Sequence, residues 1–174
     1  LAVTLEAVLV KFFDRFVQAL TLRTAQVAQL VLAFIMFIIV ANVISRRLGY
    51  PVPGTVEIVE MSGAVLLALA VAYTAIMNGH IMVGVLVERF PPRLQAAVDV
   101  IVNAIAFVFS FLLARETLVF AGKMLQRNYT TGHLHLPVAP SIYLVAFGFA
   151  MLALVLLRDL LKAIITVIKG SETG

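Results

Sequence analysis

Glu57 and Glu60 are the side chains in this 174-residue chain whose type and spacing most invite a chemical role. They stand three residues apart at the head of a long apolar stretch, so a helix carries both on one face within its first two turns. Three uses suit two carboxylates placed this way. They are interfacial acids, favoured by the positive end of the helix dipole and paired with Arg46 and Arg47. Or they anchor a second membrane protein, or form a proton or ion site. The first use ranks ahead of the other two.

His80, His133 and His135 supply the imidazoles. His80 follows the second apolar stretch and the other two follow the third, which puts them on opposite faces of a membrane, about 30 Å or more apart. They cannot share one metal ion or one haem iron. His133 and His135, two apart in a polar loop, are expected to be solvated and could hold a metal only weakly. The sequence has no cysteine, so disulfides, thiolate catalysis and cysteine-ligated metals are excluded. Arg115 and Glu116 lie about 33 Å along their helix counted from Arg93, which assigns them to the membrane edge.

The elements that must position these groups are helices in lipid. The residues are 63% hydrophobic and 13% charged, with a mean hydropathy of +1.09. Ordinary soluble domains are about half apolar and a quarter charged, so an integral membrane protein is the fitting class. The net charge of +4 is small and its basic residues are scattered between spans, which excludes nucleic-acid binding and suits anionic lipid. No cleavable signal is apparent.

Residues 1–20 carry Leu5, Val8, Leu9, Phe12, Phe16 and Leu20 on one helical face, with Glu6, Lys11, Asp14, Arg15 and Gln18 on the other. That pattern predicts an amphipathic helix lying in the membrane interface, ahead of burial against a partner, which would give the same stripe. A transmembrane domain over 21–170 follows, with spans at about 24–45, 55–77, 94–120 and 141–160, and a tail at 171–174. Arg46, Arg47 and the two prolines of the Gly49–Gly54 stretch separate the first two spans. The third helix has no breaker from Arg93 to Gly122, so it is too long for the bilayer unless it tilts or protrudes. The fold class is thus all-α: four tilted transmembrane helices plus the N-terminal interfacial helix.

An even number of spans puts both termini on one side. That side holds eight lysines and arginines against five on the other, which favours cytoplasmic termini. The span centres, near Ile35, Leu66, Ile105 and Phe149, carry no ionisable residue, and no Gly/Pro-broken pair of short spans is present. A self-sufficient transporter needs one of these features. Small and polar stripes, Ala64/Ala68/Ala72/Ala75 and Asp99/Asn103/Ala106/Ser110/Ala114, suit close helix packing.

Pro53-Gly54-Thr55 followed by Glu57, then Gly79-His80-Ile81, then Phe90-Pro91-Pro92-Arg93 occur in this order, and HLPVAPSIY opens the last span. Over roughly residues 40–160 this resembles the small membrane subunit of tripartite ATP-independent periplasmic (TRAP) transporters, the DctQ family. Where many relatives carry an arginine before the Gly-His pair and an acid after it, this chain has Ile76-Met77-Asn78 and Val83-Gly84-Val85. The resemblance implies a non-catalytic inner-membrane scaffold without a cofactor of its own. On the same resemblance it is expected to form a heterodimer with a large subunit that holds the sodium and substrate sites and moves as an elevator. A periplasmic binding protein delivers a small organic acid. Arg46, Arg47, Glu57, Glu60, His80 and Arg93 are the candidate subunit-interface or interfacial ion-pair residues. The rival reading is a stand-alone small membrane protein, either an oligomeric carrier or the anchor of another complex.

Overall fold

Nothing between Ala2 and Arg47 interrupts a helix, for the stretch holds neither glycine nor proline. In the computed structural model it forms one continuous helix, α1 (Ala2–Arg47), 46 residues and about 70 Å long. The backbone is described for residues 2–50, 52–78 and 92–172, and side-chain surroundings for 14–50, 52–77, 95 and 97–165 of these. The expected separation of a helix over 1–20 from a span starting near residue 24 is not present in the backbone. The change from amphipathic to charge-free pattern alters which surface a helix wants, but it is no break in the helix.

A Schellman turn ends α1. The Tyr50 N–H donates to the Ser45 carbonyl at 2.9 Å and the Gly49 N–H to the Arg46 carbonyl at 3.3 Å. Gly49 sits at φ 85°, the left-handed conformation that this turn requires. The second helix, α2 (Thr55–Asn78), starts after Gly54, and α3 (Pro92–Gln126) takes Pro92 into its first turn. The same turn closes α3, with Asn128 at φ 49° and the Tyr129 N–H donating to the Met124 carbonyl at 3.1 Å. The last helix is α4 (Ala139–Glu172). All four are long and apolar enough to cross a membrane, over Asp14–Arg47, Thr55–Met77, Ala97–Gln126 and Ala139–Ile165. The connector motifs around Gly79-His80-Ile81 and Phe90-Pro91 lie outside the described residues.

The helices pack in the order α1, α2, α4, α3, and α1 also reaches α4 directly. Ala28 of α1 packs with Val65 and Leu69 of α2 and with Val145 of α4. Gly148 of α4 crosses α2 so closely that a Cβ there would stand 2.6 Å from the Ala68 carbonyl carbon and oxygen. Ala72, Ala121 and Ala146 are fully buried, so small residues set the helix spacing, as membrane helices require. In the two small-residue stripes, Ala68, Ala72, Asn103, Ser110 and Ala114 are buried, whereas Ala64 is exposed. Among pairs in substantial contact, α3 touches α4 alone.

This row is not a closed bundle. Its accessible surface is 12131 Å², against about 8,300 Å² for a compact soluble monomer of 18.9 kDa. Phe37 on the α1 edge is 72% exposed and Ile105 on the α3 edge 66%. Such apolar surface needs lipid or protein against it.

Candidate functional site

Gly54, at φ 75°, turns the chain into α2. The Thr55 hydroxyl donates to the Val52 carbonyl at 2.9 Å, and the Val52 N–H donates to Asn42 Oδ1 of α1 at 3.3 Å. These contacts fix the first turn of α2 and with it Glu57. The connection after α3 folds back on itself. Thr130 and Pro137 form an isolated antiparallel bridge, the Thr131 N–H donates to the Leu136 carbonyl at 2.9 Å, and His135 takes φ 51°. The tip of that loop then lies over Glu57.

Glu57 accepts at both oxygens. The His133 N–H donates to Oε1 at 2.7 Å and the Leu134 N–H to Oε2 at 3.1 Å. Charge-assisted bonds of this kind are the strong ones. The loop lies close on the start of α2: a Cβ on Gly54 would fall inside the Leu134 side chain, whereas one on Gly132 would make ordinary contact with Glu57 Oε1 at 3.6 Å. A carboxylate with both oxygens so engaged is a clamp on the loop.

The expected pairing of Glu57 with Arg46 and Arg47 is therefore not what the structure has, because backbone N–H groups occupy the carboxylate. Arg46, Arg47 and Glu60 are exposed and form no ion pair among the described residues. Glu60 stands one turn beyond Glu57 without sharing its partners. His133 contributes its backbone, and its side chain is exposed, as is that of His135. His80 and the side chain of Arg93 lie outside the described residues. Among the described residues no three His, Asp or Glu converge as a metal would need.

At the opposite end of the row lies a second ionic group. Asp14 of α1 pairs with Arg158 of α4 and, at 2.8 Å, with Lys162 one turn on. Arg158 also lies 3.7 Å from Asp159, and its side chain is only 13% exposed. Asp14 was expected on the water-facing side of an interfacial helix. It faces α4 instead, and Val17, Thr21, Thr24 and Ala25 continue the same buried stripe. The Thr21 and Thr24 hydroxyls donate to the Val17 and Thr21 carbonyls at 2.8 Å each, which satisfies them inside the packing. Sequence reading missed this cluster. Its signal was Arg158 and Lys162 at helical spacing, one acid away from closing the two ends of the chain.

The third ionic group is Arg115–Glu116 on α3, joined at 2.6 Å and 63% and 64% exposed. Arg115 shares the lining of a groove of about 700 Å³ with Phe111 and Leu118 of α3 and with Ala150, Ala153 and Leu157 of α4. Counting along α3 alone assigned this pair to the membrane edge. Its register against α4 puts it beside Ala150, the middle of that helix's charge-free stretch from Ser141 to Leu157.

Comparison with known proteins gives one family. The model for "Tripartite ATP-independent periplasmic transporters, DctQ component" matches residues 35–166. No curated protein and no solved structure matches the chain.

Proposed function

The chain belongs to the DctQ family and is thus a multi-pass inner-membrane component of a TRAP transporter, its small membrane subunit; from that premise we propose that it acts as a fixed, non-catalytic brace. Transporters of this type also comprise a large membrane subunit and a periplasmic binding protein. The large subunit holds the sodium and substrate sites and moves as an elevator. This chain forms a one-to-one complex with it and resists that movement. The cargo is a small organic acid handed over by the binding protein. The termini are cytoplasmic, which places the Glu57 clamp and its loop on the periplasmic face.

The observation that carries this reading is the open row α1–α2–α4–α3. Interior polar groups in it are satisfied within their own helices, as with the Asn103 amide donating to the Asp99 carbonyl one turn back at 2.8 Å. Its outer faces are broad and apolar. A layer of that shape widens a stationary wall in the bilayer and does not enclose a path through itself. Co-purification from native membranes tests the reading. A tagged chain retains a hydrophobic protein of ten or more spans in equal amount; a chain recovered alone in mild detergent overturns it.

A further inference from the structure

We propose that the α3 edge of the row is the face on which the large membrane subunit sits, with Arg115 and Glu116 as the polar point of that contact. The proposal rests on the reading of the chain as a small subunit and adds which surface does the work. Both edges of the row are apolar and exposed, so exposure alone does not choose between them. Charge does. The outer edge from Thr24 to Ser45 on α1 has no ionisable residue and suits lipid. The α3 edge presents an arginine and a glutamate bonded to each other, both nearly two-thirds exposed.

Depth turns this into a requirement for a partner. The pair stands beside Ala150, eight residues and about 12 Å from Arg158 at the charged end of α4. Tilting the row shifts helices spaced 8–10 Å apart by at most about 8 Å against each other at 40°. The half-thickness of the hydrocarbon is about 15 Å, so the pair stays inside it either way. Side chains on a helix lean toward its N-terminus. On α3 that is the end bearing Phe107, so Arg115 leans away from the nearer loops, toward the apolar groove. An arginine reaching for lipid phosphate would lean the other way and would leave Glu116. Instead the guanidinium holds Glu116, each with unused hydrogen-bonding capacity facing outward. Ionisable groups at this depth face protein or a water-filled cavity. The fitting partner is a transmembrane helix with polar side chains at that level, flanked by apolar ones to cover Ile105, Val108 and Leu112.

Photo-crosslinking in native membranes tests the assignment, with benzoylphenylalanine replacing Phe109 on α3 or Phe37 on α1, 63% and 72% exposed. Phe109 is expected to give an adduct with a protein identified by its peptides as the large multi-span subunit, and Phe37 little or none. In parallel, Arg115→Glu lowers retention of that subunit about tenfold, the scale of one or two interhelical polar contacts. The swap Arg115→Glu/Glu116→Arg restores part of it, and all variants keep their helix content. Adducts to the large subunit from Phe37 alone overturn the assignment while leaving the small-subunit reading intact. Adducts of a second copy of this chain, or of lipid only, from Phe109 overturn it as well. Failure of any tagged chain to retain a large subunit overturns both.

Discussion

Glu57 holds the backbone of His133 across 76 positions of sequence, and the adjacent Leu134 N–H completes the grip. One carboxylate at the start of α2 thereby fixes the loop that leads into α4, so the two helices that cross at Ala68 and Gly148 are also tied at one end.

Removing the clamp is therefore expected to free the loop and leave the helices alone. In Glu57→Ala both acceptors are lost; in Glu57→Gln one carbonyl oxygen remains and the charge goes. Hydrogen exchange at the His133 and Leu134 amides should rise several-fold in the alanine variant and less in the glutamine one. Exchange within α2 and α4 should stay as in the parent chain. Equal protection in all three would show that the carboxylate does not hold the loop.

The link between Asp14 and Arg158 closes the other end of the row. Asp14→Ala leaves a mostly buried guanidinium with Asp159 as its remaining acidic neighbour among the described residues, at a cost of about 1–3 kcal/mol. For a chain of this length that is a fall in Tm of about 2–12 °C. Arg158→Ala should cost a similar amount, and the double variant less than the sum, because the two residues share one interaction. Additive losses would contradict direct pairing.

Helix crossing at Gly148 offers a stability test without charge. Gly148→Leu forces side-chain atoms where the Ala68 carbonyl already stands and should destabilise by about 1–3 kcal/mol or more. Gly63→Ala, where a Cβ meets nothing within 4 Å, should be neutral or stabilising by up to about 1 kcal/mol. Thermal unfolding in detergent separates the two, and equal effects would place the close approach elsewhere.

The spans were legible because lipid imposes composition: uninterrupted apolar stretches can only be helices when no water satisfies the backbone. Thr55–Met77 is the sharpest case, fenced by Gly54 before it. The Glu57 partners were not legible. A backbone N–H has no signature in sequence, whereas Arg46 and Arg47 nearby offered obvious counter-ions that the structure does not use. The unbroken α1 was readable from its lack of glycine and proline, but the shift in charge pattern near Arg23 suggested a boundary. Depth was the hardest property to read. Arg115 looked peripheral when counted from Arg93, and only its neighbours on α4 show the level at which it stands.

Reconstitution into vesicles tests the brace most directly. Purified chain alone, purified large subunit alone and the two together are given the loaded binding protein and an inward sodium gradient, and uptake of the organic acid is followed with time. The account predicts uptake only when both membrane subunits are present. Uptake by this chain alone, or undiminished uptake by the large subunit without it, would contradict the account.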